Sequence, residues 1–208
     1  MKKKIAFALT IVLAFALGIG GTFAYLTAKT SAVVNTFTIG NVGDLKLEEN
    51  SGTEVKDSEG NVLKRAHKII PGVPTTKDPK VTYTADSTDE AVYVFVKIDA
   101  ADSWTVNGAD YTYKDGDNDC LSWSVNTTDW TAVPGTTGVY YKALGEGASL
   151  PATSVIAGDA ITVDGDNVTE ANIQTIAGGA GELTFTAYAI QQAGFNGDVA
   201  AAWAQFTD

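Results

Sequence analysis

Two residue types that catalysis most often needs occur once each in this chain, His67 and Cys120. A Ser-His-Asp triad would have to be built on His67, and a His-Glu-x-x-His metal site cannot be built at all. A thiol nucleophile would need Cys120 activated by His67, yet Asp115, Asp117 and Asp119 stand just before the cysteine, and a negative field raises a thiol pKa. A lone cysteine also forbids an intrachain disulfide and a zinc cage of paired cysteines. The alternating carboxylates of Asp115-Gly116-Asp117-Asn118-Asp119 match the start of a calcium loop, but Cys120 stands where that loop needs glycine and Asn126 where it needs glutamate. A hairpin turn between Tyr111-Thr112-Tyr113 and Leu121-Ser122-Trp123 accounts for the same residues, and Asp164-Gly165-Asp166 is a weaker case of the same pattern. Paired carboxylates for glycoside hydrolysis depend on a tertiary distance, and a solvated acidic surface is the plainer reading of 25 acidic residues. The chain is therefore read as a non-enzyme, with no metal and no cofactor assigned.

Two surface-chemistry motifs are also declined. Leu150-Pro151-Ala152-Thr153 matches four letters of a sortase signal, but Ser154 replaces glycine, and the chain ends Ala204-Gln205-Phe206-Thr207-Asp208 without an apolar segment and basic tail. Asn126-Thr127-Thr128 and Asn167-Val168-Thr169 fit a glycosylation pattern that acts only in cells carrying the machinery.

The elements that must position these residues follow from a chain of 208 residues, enough for one medium domain. Its N-terminus has the order of a secretory signal: Lys2, Lys3 and Lys4, an apolar run from Ile5 to Ala16, then glycines and Thr22-Phe23-Ala24. Thr22 and Ala24 are the small residues a signal peptidase reads, so cleavage is expected between Ala24 and Tyr25. A retained membrane anchor is the competing reading, since no charge appears between Ile5 and Ala28. Either way the folded part is expected outside the cytoplasm, secreted or held at the cell surface. Loss of the three lysines leaves 11 basic against 25 acidic residues, a charge of −14. A surface this acidic repels phosphate and argues against sequence-independent nucleic-acid binding.

Beyond the signal the chain reads as strands. Val92, Val94, Val96 and Ile98 alternate with Tyr93, Phe95 and Lys97, the period of a strand buried on at least one face. Leu183 to Ile190 is a second strong case, and shorter runs such as Leu45-Lys46-Leu47, Val81-Thr82-Tyr83-Thr84 and Val139-Tyr140-Tyr141-Lys142 are separated by Gly, Pro, Asn and Asp clusters. The spacing predicts an all-β antiparallel sandwich without a long linker, hence one domain over residues 41–208. Only the C-terminus reads as helix: Asp198 is placed to cap it, and Val199, Ala202, Trp203 and Phe206 share a face that plugs one end of the sandwich.

The run Gly20-Gly21-Thr22-Phe23-Ala24-Tyr25-Leu26-Thr27, with Asn35-Thr36-Phe37-Thr38-Ile39-Gly40-Asn41-Val42, resembles the TasA/camelysin family of secreted Gram-positive proteins processed by a SipW-type signal peptidase. Matches in the same order continue through Ile70-Pro71-Gly72, Ala91-Val92-Tyr93-Val94-Phe95-Val96, Gly138-Val139-Tyr140-Tyr141-Lys142 and Ala187-Tyr188-Ala189-Ile190-Gln191. The resemblance implies a jelly-roll-like sandwich whose relatives form biofilm-matrix fibres, the N-terminal segment of one subunit adding as a strand to the next. Here that segment is residues 25–40, and Tyr25, Leu26, Val33, Val34, Phe37 and Ile39 are its candidate assembly residues. It contains no proline and one charge, Lys29. Residues 25–32 are expected as an exposed arm, while residues 33–39 fit a donor strand and a first strand of the same domain equally well. The implied partners are other copies of this chain, the SipW-type peptidase and further matrix or surface components. Camelysin was named as a metalloprotease, an activity for which one histidine and no zinc motif leave little basis. The alternative from the binding class is a monomeric adhesin or carbohydrate-binding module presenting Trp104, Trp123 and Trp130 on one flat face.

Overall fold

Alternation of aliphatic and aromatic residues after Ala91 produces a nine-residue strand, Val92–Ala100, whose first five side chains are all buried. Both of its faces are covered, so its two side-chain sets enter two different cores. The computed structural model describes residues 27–29 and 42–206. The first strands are β1 (Thr27–Lys29), β2 (Asp44–Glu48), β3 (Thr53–Lys56), β4 (Val62–Ala66) and β5 (Thr75–Thr76). There follow β6 (Lys80–Thr84), β7 (Val92–Ala100), β8 (Trp104–Asn107), β9 (Asp110–Asp115) and β10 (Asn118–Ser124). The last are β11 (Thr131–Ala132), β12 (Val139–Leu144), β13 (Leu150–Ser154), β14 (Ala160–Val163) and β15 (Leu183–Gln191), with helices α1 (Glu170–Thr175) and α2 (Val199–Trp203).

Every pairing is antiparallel. One five-stranded sheet has the order β1-β15-β7-β12-β11, a second has β5-β14-β10-β9-β8, a third of three strands has β13-β6-β2, and β3-β4 form a separate hairpin. The first sheet faces the second and third across the larger core. Val92, Val94, Val96, Phe185, Ala187 and Ala189 meet Leu45, Leu47, Val81, Tyr83, Trp104, Tyr111 and Trp123 there. This is the all-β sandwich that the strand spacing indicated. Alternation sets which side chains enter: β2 buries Leu45 and Leu47 and exposes Asp44, Lys46 and Glu48.

The Asp-rich segment is a hairpin turn. Asp115 pairs with Asn118 across Gly116, whose φ of +62° is open to glycine at no steric cost. Leu150-Pro151-Ala152-Thr153 lies within β13, an edge strand, where a proline costs no ladder bond.

The helical reading of the C-terminus holds, with a difference in placement. Asp198 Oδ1 accepts from Ala201 N at 2.9 Å, and Val199, Ala202 and Trp203 are buried. They pack on Tyr93, Phe95, Tyr188 and Ile190, which lie on the outer face of the first sheet, so α2 covers that face and does not plug an end. The reason is that β7 and β15 carry large apolar residues on both faces, and the outer set also needs cover. A second helix, α1, stands where no helix was expected. Thr169 and Asn172 cap it reciprocally, side chain to backbone in both directions, before the chain turns widely through residues 176–180.

Candidate functional site

β15 is the strand on which an assembly site can be built. Along one edge it pairs with β7 over its whole length, from Leu183 opposite Ala100 to Gln191 opposite Val92. Along the other it pairs with β1 over three positions: Thr27 opposite Ile190, Ala28 opposite Ala189 and Lys29 opposite Tyr188. Thr27, Ala28 and Lys29 are thus held in the sheet of their own chain, contrary to the expectation of an exposed arm across residues 25–32. The physical reason is the edge itself, whose backbone donors and acceptors are met by any extended segment within reach. Ala24, Tyr25, Leu26, Val33, Val34, Phe37 and Ile39, and with them the signal sequence, lie outside the described residues. On the same side of β15, residues 183–186 have no strand partner among the described residues.

Beside residues 183–186 lies a cavity of about 650 Å³, between the two layers of the sandwich and bordered by the β3-β4 hairpin and α1. Leu47, Trp104, Leu121, Ile161, Ile176 and Phe185 line its apolar part. Its polar part is a charged group that the sequence did not announce, because its members lie far apart in the chain. Lys77 Nζ, 7% exposed as a residue, donates to Glu49 Oε1 and Oε2 at 3.0 and 3.2 Å and sits 5.2 Å from the centre of the Phe185 ring. His67 Nδ1 is 2.9 Å from the Thr76 carbonyl oxygen, and its Nε2 is 3.0 Å from Glu49 Oε1 without hydrogen-bond alignment.

Burial alone would raise the Glu49 pKa, but His67 and Lys77 together outweigh it and hold the carboxyl below its ordinary value of 4.5. A depressed carboxylate contributes stability that is complete above the unfolded-state pKa and is lost as the pH falls through the folded value. Glu49→Gln should therefore destabilise the chain by about 2–3 kcal/mol at pH 7, where Lys77 is left buried without a countercharge. The penalty should shrink as the pH falls below 4.5 and native Glu49 takes up its own proton. Urea unfolding of both chains at pH 7 and pH 3 measures this, and an equal penalty at the two pH values would refute it.

The remaining chemistry candidates stay apart. Cys120 is buried beside Asn118, Asn167 and Asn172, partners that do not include His67. Burial first, and then Asp115, Asp164 and Asp119, push its thiol pKa up, the opposite of what a nucleophile needs. Lys114 Nζ reaches Asp119 at 2.6 Å, and no group of three or more His, Cys, Asp or Glu placed to hold a metal occurs among the described residues. Trp104, Trp123 and Trp130 are all buried, at 7, 5 and 1% exposure, so they do not form a stacking platform for sugars. No helix among the described residues is long and apolar enough to cross a membrane. No family model matches the chain, and neither a curated protein nor a solved structure does.

Proposed function

We propose that this chain is a secreted structural subunit that polymerises head to tail into extracellular surface or matrix fibres, each subunit giving its N-terminal segment as a strand to the next. The observation that carries the reading is the pairing of Thr27, Ala28 and Lys29 with Ile190, Ala189 and Tyr188 on an edge that has no further strand partner along residues 183–186 among the described residues. A segment held at a sheet edge by backbone bonds is exchanged at little cost, since the same bonds form when the segment comes from a neighbour. Exchange of one segment is a heterologous contact that does not close, so it propagates. In the fibre, the edge of β15 along residues 183–186 offers further backbone donors and acceptors to the incoming segment. Cleavage between Ala24 and Tyr25 is the switch in this scheme, because a segment still tethered to the membrane does not travel into a neighbour. A SipW-type signal peptidase is the partner that performs it, and other matrix components are partners of the finished fibre. The fold is a scaffold for assembly, and no catalytic role is assigned to it.

The test is negative-stain electron microscopy of residues 25–208 beside a chain that lacks residues 25–32. Filaments are expected from the first and compact particles from the second. If the shortened chain polymerises unchanged, strand exchange by this segment is wrong.

A further inference from the structure

The cavity beside β15 contains a feature that strand exchange leaves unexplained. The Trp104 indole N–H faces no hydrogen-bond partner although the residue is 7% exposed, and the residue lines the cavity. An indole nitrogen is a donor only, so water or an oxygen from another molecule is what it can accept as a partner. Around it the surface is aliphatic and aromatic: Leu47, Leu121, Ile161, Ile176 and Phe185. A volume of about 650 Å³ is that of a small-molecule site. The charged lining residues set back from solvent are compensated in place, Lys77 by Glu49 and Arg65 by Glu54 at 2.8 Å, while Glu48, Lys64 and Glu182 are exposed at the rim. An ionised group carried into the apolar interior would be desolvated away from those rim charges, which disfavours it.

We infer that this cavity binds a neutral, largely apolar molecule carrying a carbonyl or ether oxygen, which accepts the Trp104 N–H while its hydrocarbon body packs on Leu121, Ile161 and Phe185. The ligand enters beside the β3-β4 hairpin, where Leu63 stands 58% exposed at the cavity's border. Binding here is independent of fibre formation: it uses the space between the layers, and the exchanged strand uses the backbone edge of β15.

The probe is 6-propionyl-2-dimethylaminonaphthalene, a neutral naphthyl ketone whose emission moves to the blue on leaving water, titrated into residues 25–208, which contain every described element. Saturable one-to-one binding is expected, with tryptophan emission falling as the probe emission rises. Trp104→Phe keeps an aromatic ring and removes the N–H, and should weaken the ketone roughly tenfold, the loss of about one buried hydrogen bond. N-phenyl-1-naphthylamine, which lacks the carbonyl, should bind the two chains within about twofold of each other, because packing alone holds it. Far-ultraviolet circular dichroism and the melting temperature check that the Trp104→Phe chain is folded, so the probes are compared on folded protein. Equal loss of both probes, or no binding of the ketone to the parent chain, overturns the proposal. Binding that arises only when residues 30–41 are replaced by a Gly-Ser linker of equal length also overturns it, and assigns the cavity to the chain's own N-terminal segment.

Discussion

A chain carrying Ala28→Cys and Ala189→Cys should form no filaments when its two introduced thiols are oxidised before assembly, and normal filaments when they are kept reduced. These positions face each other in the β1-β15 register. Antiparallel neighbours have Cα atoms about 4.5 or 5.5 Å apart according to the type of pair, and both spacings lie within the span a disulfide bridges. Oxidation of the monomer therefore locks Thr27, Ala28 and Lys29 onto their own β15 and removes the donor strand from exchange. The same chain gives a second reading when the order is reversed. Filaments assembled under reduction and then oxidised should run as a ladder of covalent multimers on a non-reducing gel, since each thiol at position 28 then lies against position 189 of the next subunit. Native Cys120 does not confuse the result, being 1% exposed with its thiol pKa raised by burial. The expected effect is all or none. Filaments from the pre-oxidised chain, or only monomer bands from the oxidised filaments, would show that β1 stays at home and that assembly uses another surface.

The strands that could be read from the sequence are those whose burial leaves a strict period. From Val92 to Ile98, aliphatic residues alternate with Tyr93 and Phe95, and the two sets enter the two cores. The turn at Gly116 was legible because alternating aspartates and a glycine between two aromatic runs leave few other conformations. The β3-β4 hairpin was not, since its residues are mostly exposed and charged and give no alternation to detect. Helix α1 was hidden for another reason: its signal is the Thr169–Asn172 capping pair, and Thr169 also completes the glycosylation pattern Asn167-Val168-Thr169. The end of the chain was read correctly as a helix with one apolar face, but which surface it covers depends on the outer face of β7 and β15, a tertiary fact. The same holds for the candidate site. Glu49, His67, Lys77, Trp104 and Phe185 are scattered over more than 130 positions, and no local spacing announces that they share a cavity.

Trp203→Ala should cost about 3–5 kcal/mol, the range for emptying a buried aromatic site. Trp203 is 5% exposed and lies 5.4 Å from the Phe95 ring and 5.2 Å from the Tyr188 ring, the latter edge to face at 87°. Helix α2 has five residues, too few to be stable alone, so its position depends on the side chains it buries, of which Trp203 is the largest. For a chain of this size a loss of that order lowers the melting temperature by roughly 10 °C. The consequence reaches the edge that β1 pairs with, because Tyr188, which packs on Trp203 and at 4.8 Å on Phe206, is also the residue opposite Lys29. Without the indole, the outer face of β15 is uncovered at the positions that hold β1. Amide exchange should therefore quicken at Ala189 and Ile190 well before it does at Val81, which lies in the third sheet and belongs to the other core. Trp203→Phe keeps an aromatic ring against Phe95 and Tyr188 and should lose less than half as much. A cost below about 1 kcal/mol for Trp203→Ala, or exchange that rises equally at Ala189 and Val81, would mean that α2 is not what secures the outer face of β15.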